Sequence, residues 1–219
     1  MGTFTDGRDG KIYKKVQIGE QIWMVENLNY AADGSMCYGN DSIKSILWPN
    51  EHGGLGFTPV GPGEVCDYYG RLYDWNTVMN GESSSNAVPS GVEGVCPVGW
   101  HVPSDAEWAI LVDYVGINAG TKLKARSVRV GGGHPDGTDK YRFSALLGGI
   151  GSELSNNFFP SPGEGPPYFH SLGRAGYWWS STDSETDRTK AWWRAMGGEE
   201  VGRQIYDKHY MVSVRCVHD

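Results

Sequence analysis

Residues 177–194, YWWSSTDSETDRTKAWWR, place two adjacent tryptophan pairs on either side of a run made almost entirely of Ser, Thr, Asp, Glu, Arg and Lys. Side chains on a strand alternate between its two faces, so a Trp pair puts one ring on each side of a sheet. In KAWWRAM (190–196), Trp192, Arg194 and Met196 share one face, and Trp193 and Ala195 share the other. In VGRQIY (201–206), Val201, Arg203 and Ile205 alternate with Gly202, Gln204 and Tyr206. YWWSST, KAWWRAM, VGRQIY and MVSVRCV are four short strand-like runs separated by polar or glycine-bearing turns, which predicts an antiparallel sheet ending the domain.

Upstream the pattern changes. In PSDAEWAILVDYVG, Ser104 and Glu107 stand at capping-box spacing, each able to satisfy a backbone N–H at a helix start. Trp108, Leu111, Val112 and Val115 then form an apolar stripe, and Gly116 supplies a stop. Leu72, Trp75, Val78 and Met79 predict a second helix within 70–81. KIYKKVQIGEQIWMVENL (11–28) predicts a hairpin turning at Gly19-Glu20. Residues 31–66 and 120–175 read as mostly loop, with an insertion near 43–65. Strands, two helices, loops and a closing sheet make an α+β order rather than alternating βαβ units. One domain is expected over 11–219, preceded at 1–10 by a linker or an appended start.

The formal net charge of −7, with acids and bases interspersed, provides no basic stripe for nucleic acid. No apolar run is long enough to span a bilayer, and MGTFTDGRDGK lacks the apolar core of a leader peptide. Cys37, Cys66, Cys96 and Cys216 contain no CxxC and have no His at zinc-finger distance. Their even number and wide spacing point to disulfides and an oxidising compartment. Of three pairings, Cys37–Cys66, clipping an irregular loop, and Cys96–Cys216, tying the middle of the chain to its end, are preferred. Four free thiols are the alternative.

Seven blocks in order resemble the Fibrobacter succinogenes major paralogous domain family. They are VQIGEQIWMVENLNY (16–30), YGRLYDWNTVM (69–79), GVCPVGWHVPSDAEW (94–108), AGTKLKA (119–125), GTDKYRFSALLGG (137–149), GYWWSST (176–182) and SVRCVHD (213–219). Arg142 and Leu147 depart from the Gly and Pro expected in that family's GFSALPGG block. The resemblance implies a C-type lectin-like fold of the branch shared with formylglycine-generating enzymes. It implies two helices, long irregular loops and a closing antiparallel sheet, with the N- and C-terminal parts joined, which supports Cys96–Cys216. It also implies a secreted or bacterial cell-surface location.

The family pattern keeps Trp192, Arg194, Val201 and Arg203, so Trp192 is expected in the framework and Trp193 outward. Gln204 and Tyr206 would join Trp193, and His209 and Tyr210 would extend the same ligand-binding surface. Trp178 and Trp179 lie in a family block and are expected to be structural. The ligand expected is a polysaccharide, plant cell wall among the candidates. The alternatives are a protein ligand, as for variable proteins of diversity-generating retroelements, a structural envelope module, and a glycan-active enzyme, which two close carboxylates in a cleft would mark.

Formylglycine-generating enzymes hold copper with paired cysteines, and Cys216 has no cysteine near it in sequence. No GxSxG, HExxH or P-loop motif occurs, and GGGHPDG (131–137) reads as a loop. The EPN, QPD and WND signatures of calcium-dependent lectins are missing; DWN (74–76) falls in the expected helix. No cofactor is implied, no metal set is identified, and structural calcium is left open by the Asp and Asn of the loops. Asn40-Asp41-Ser42 matches a glycosylation triplet. His101, before the capping box, is expected to be packed rather than catalytic, and His134, His170, His209 and His218 show no ligand spacing.

Overall fold

A computed structural model describes residues 1–38, 45–49, 55–59, 64–126, 136–152 and 168–219. The chain opens with β1 (Gly2–Thr5), β2 (Ile12–Ile18) and β3 (Gln21–Met24), then the paired strands β4 (Ser45–Pro49) and β5 (Leu55–Pro59). Helices α1 (Glu64–Tyr69) and α2 (Trp75–Met79) follow, then β6 (Trp100–His101), α3 (Asp105–Val115) and α4 (Ala119–Leu123). The remaining strands are β7 (Ile150–Ser152), β8 (Tyr168–His170), β9 (Gly176–Asp183), β10 (Lys190–Met196), β11 (Val201–Asp207), β12 (Tyr210–Met211) and β13 (Val217–His218). The architecture is α+β, dominated by antiparallel sheets.

The β2–β3 hairpin turns where expected. Ile18 pairs with Gln21, leaving Gly19 and Glu20 as the two-residue loop, and Gly19 takes the positive φ of 62° that such turns require. β13 inserts between β3 and β6, with Val217 opposite Trp23, so the two ends of the chain share one sheet in the order β1-β2-β3-β13-β6. The Cys96–Cys216 disulfide reinforces this junction and Cys37–Cys66 closes the other preferred pair. The first residues, expected as a linker, instead pair with β2 as an edge strand, because Phe4 stacks on Trp100 at 4.2 Å and Asp6 is fully buried.

α3 carries the capping box in full. Ser104 Oγ accepts from Glu107 N (3.1 Å), and Glu107 Oε2 accepts from Ser104 N (2.9 Å). Trp108, Leu111 and Val115 are buried and Val112 is partly so. The helix expected within 70–81 is shorter: Asp74 caps it by accepting from Thr77 N (2.7 Å), and Asn80 ends it in the left-handed conformation. Among the described residues there are four helices instead of the two expected, α1 and α4 being short segments of six and five residues at the borders of stretches read as loop.

Among the described residues the closing sheet holds three strands, in the order β11-β10-β9, rather than four. The last run, MVSVRCV, is divided: β12 pairs with β7, and β13 joins the N-terminal sheet. Between them Val212 bridges to Tyr73 and Ser213 to Trp178, so this segment threads through the core instead of adding an edge. The hairpin β4–β5 lies within the expected insertion near 43–65, whose other residues up to 63 fall outside the described residues. The same holds for Asn40-Asp41-Ser42, His134 and 131–135 of the glycine-rich run.

Candidate functional site

The sheet β9-β10-β11 lies between two apolar clusters, and each face of β10 meets one of them. On the α3 side, Trp178 and Met196 pack with Trp23, Trp108 and Phe143. There Arg194 Nη2 donates to Asp105 Oδ1 (2.6 Å) and to Asp105 O (2.8 Å), and Arg203 Nε donates to Asp105 Oδ2 (2.8 Å). Asp105 opens α3, so its carboxylate also lies near the positive end of the helix dipole. The Arg203 guanidinium covers the half-buried Trp192 ring at 3.4 Å.

On the opposite side, Trp179 and Trp193 stand directly across from each other in register. Trp193 does not face outward as expected: it is 1 % exposed. The alternation of side chains is as read, but the face opposite α3 is covered by a second cluster that includes Tyr73, Trp75 and Val212. Tyr206 roofs Trp193 from the neighbouring strand, stacked at 4.1 Å and 22°. It reaches Trp193 diagonally, since its register partner is Ala191, a separation that aromatic side chains span.

The expected ligand-binding residues therefore form a graded series. Gln204, opposite Trp193, is exposed and Tyr206 is 38 % exposed, while His209 and Tyr210 are half-buried. Tyr206 meets Tyr210 edge-on at 5.5 Å, and Tyr210 stacks on His209 at 4.8 Å. Tyr177, which the sequence reading did not single out, joins from β9 at 5.0 Å from Trp193. The five rings of Trp193, Tyr177, Tyr206, Tyr210 and His209 are thus continuous from core to surface, and among the described residues β11 is an edge strand of this sheet. Lys208 lies over the Trp75 ring at 3.9 Å at the end of this edge.

The indole N–H groups are used unequally. Trp179 Nε1 donates to Tyr73 O (3.0 Å), Trp75 Nε1 to Ser180 O (2.9 Å) and Trp178 Nε1 to Asn27 Oδ1 (2.9 Å). Among the described residues Trp193 Nε1 is buried with no acceptor. A buried unpaired donor is uncommon, and the ring that carries it is the one stacked beneath Tyr206.

His101 is packed, as expected. Its Nδ1 lies 2.7 Å from Asp219 Oδ1 and its Nε2 2.8 Å from Glu107 Oε1. Burial opposes the imidazolium, but the bonds and charges of the two carboxylates outweigh it and raise the pKa. With both ring nitrogens engaged and 2 % exposure, the ring anchors β6 to α3. Among the described residues no group of three His, Cys, Asp or Glu side chains is placed to hold a metal, and no helix is long and apolar enough to cross a membrane.

Compared with known proteins, residues 16–218 match the family model described as Fibrobacter succinogenes major domain. No curated protein and no solved structure matches.

Proposed function

Since the chain belongs to the Fibrobacter succinogenes major domain family, we propose that it is a non-catalytic extracellular domain that binds polysaccharide along the β11 edge and its adjoining loops. The observation that carries this reading is the exposed Tyr206 ring held flat on buried Trp193, with Gln204 beside it. An aromatic face held rigid from beneath stacks on the apolar face of a sugar at little entropic cost, and a neighbouring amide orients its hydroxyls. The two disulfides support secretion or display at a bacterial surface. The short helices, irregular connections and joined chain ends are in keeping with a C-type lectin-like arrangement. A protein ligand is the second reading, favoured by β11 being, among the described residues, a sheet edge whose exposed residues include Arg203 and Tyr206.

The test is binding of the purified domain to insoluble polysaccharides and arrayed glycans, with Tyr206→Ala and Gln204→Ala. Gln204→Ala leaves the core closed, and Tyr206→Ala uncovers one face of Trp193, so the unfolding midpoint of each variant is measured alongside binding; Trp193→Ala would cost about 3–5 kcal/mol and confuse binding with folding. Loss of glycan binding by at least about tenfold in Tyr206→Ala is expected. Glycan binding unaffected by both variants, or no glycan binding alongside capture of a bacterial surface protein that Tyr206→Ala abolishes, would refute the polysaccharide reading.

A further inference from the structure

A second polar surface lies in a cleft of about 720 Å³ between the N-terminal segment, the loop after β3 and α2. It shares no lining residue with the β9–β11 sheet. Arg8, Tyr30, Asp33, Asn76, Asn80 and Glu93 give it its chemistry. Asn76, in the first turn of α2, and Asn80, its left-handed C-cap, both line the cleft. Among the described residues the side chains of Asn76, Asn80, Asp33 and Glu93 engage no hydrogen-bond or ion-pair partner.

The walls of this cleft are held in place. Arg8 is clamped by the buried Asp6 carboxylate (Nε to Oδ1 2.9 Å, Nη2 to Oδ2 2.7 Å) and donates from Nη1 to Val95 O (2.9 Å). Its guanidinium lies on the Tyr30 ring at 3.9 Å, and Tyr30 O accepts from the Tyr73 hydroxyl (2.7 Å). Gly94 is pressed onto α2 so closely that a Cβ there would lie 2.2 Å from Val78 O. A rigid lining loses little entropy when a ligand arrives.

The charge of the cleft selects its ligand. Asp6 neutralises Arg8, so the carboxylates of Asp33 and Glu93 are uncompensated and repel anions. A metal ion is not provided for either: among the described residues no three His, Cys, Asp or Glu side chains form a ligand set, and Arg8 covers one face of the Tyr30 ring. Carboxylates accept and amides both donate and accept, which suits closely spaced hydroxyl groups. We infer that this cleft is a separate subsite for neutral, hydroxyl-rich oligosaccharide. The inference extends the polysaccharide reading to a second surface, and one set of variants separates the two.

The side-chain amide resonances of Asn76 and Asn80 would be followed in the isotope-labelled domain during titration with cellohexaose, xylohexaose and maltohexaose, with oligogalacturonate as the anionic probe. At least one neutral sugar should shift both amides saturably at millimolar concentration, and oligogalacturonate should bind about tenfold more weakly or worse. Asn76→Ala with Asn80→Gly, the glycine preserving the left-handed backbone at φ 48°, should weaken the neutral sugar at least about tenfold while Tyr206→Ala leaves these shifts unchanged. Asp33→Asn with Glu93→Gln, which leaves the backbone untouched, should narrow the gap between neutral and anionic sugars. Failure of every neutral sugar to shift the amides, or equal binding by the folded amide variant, overturns the subsite. Binding lost only in Tyr206→Ala overturns it while supporting the sheet edge. Binding lost only in the amide variant supports it and removes the sheet edge.

Discussion

Trp179 and Trp193 provide an internally controlled test of the aromatic face. They are register partners on adjacent strands, belong to one cluster and are 0 % and 1 % exposed. Replacing each by Phe removes the same atoms from comparably dense surroundings, so the transfer and cavity contributions largely cancel between the variants. The hydrogen bonds do not cancel. Trp179→Phe removes the bond from Nε1 to Tyr73 O, worth about 0.5–1.5 kcal/mol net. The penalty stays near the lower end because Tyr73 O still accepts from Val212 N at 3.1 Å. Trp193→Phe removes a buried donor with no acceptor, and so recovers a desolvation cost of about 1–3 kcal/mol. The two contributions add, so Trp193→Phe should be the more stable variant by about 1.5–3.5 kcal/mol. In urea, under non-reducing conditions that keep both disulfides and with a slope of about 2–3 kcal/mol/M, this corresponds to a midpoint higher by roughly 0.5–1.8 M at unchanged slope. Equal midpoints, or a lower one for Trp193→Phe, would mean that the Trp193 N–H is satisfied in solution, and the reasoning from an unpaired donor would fail.

Two further outcomes follow from buried charge. His101 has a raised pKa in the folded chain, so the folded state binds the proton more tightly than the unfolded one. Its contribution is complete below the unfolded value of about 6.5 and is lost as pH rises through the raised folded value. The melting-temperature advantage of the wild type over His101→Gln should accordingly shrink above about pH 6.5, and a gap that widens with pH would contradict this. Asp105→Asn leaves the buried Arg194 without its counter-charge and should cost about 3–5 kcal/mol in denaturant unfolding. Arg203→Ala, at a side chain 47 % exposed, should cost no more than about 1 kcal/mol; the reverse order would show that Asp105 serves chiefly the surface arginine.

Much of the local structure is legible from residue order because its causes lie within a few residues. The Ser104/Glu107 box, the Gly19-Glu20 turn and the period-two alternation of KAWWRAM each satisfy backbone groups or expose alternate faces by local geometry alone. The resemblance to the family is legible for the same reason, as seven blocks in order, and the matched span of residues 16–218 agrees. The shortening of the 70–81 helix could also have been read, since Asp74 and Asn80 are ordinary cap residues.

What lies outside the reach of local pattern is which face of a strand meets solvent. Alternation assigns Trp193 and Trp192 to opposite sides of β10, but an outward side exists only if nothing covers it. Trp193 is buried among the rings of Tyr177, Trp179, Tyr206 and Tyr210, in a cluster to which Tyr73, Trp75 and Val212 come from distant parts of the chain, while Trp192 is left half-buried beneath Arg203. The division of MVSVRCV between two sheets and the meeting of Arg8, Tyr30, Asn76 and Glu93 around one cleft are long-range in the same way. The sequence by itself determined the periodicities, caps, turns and cysteines of this protein. Burial, the pairing of its ends and the surfaces offered to a ligand were decided only by the tertiary structure, because each depends on the free energy of contacts between segments that no local spacing specifies.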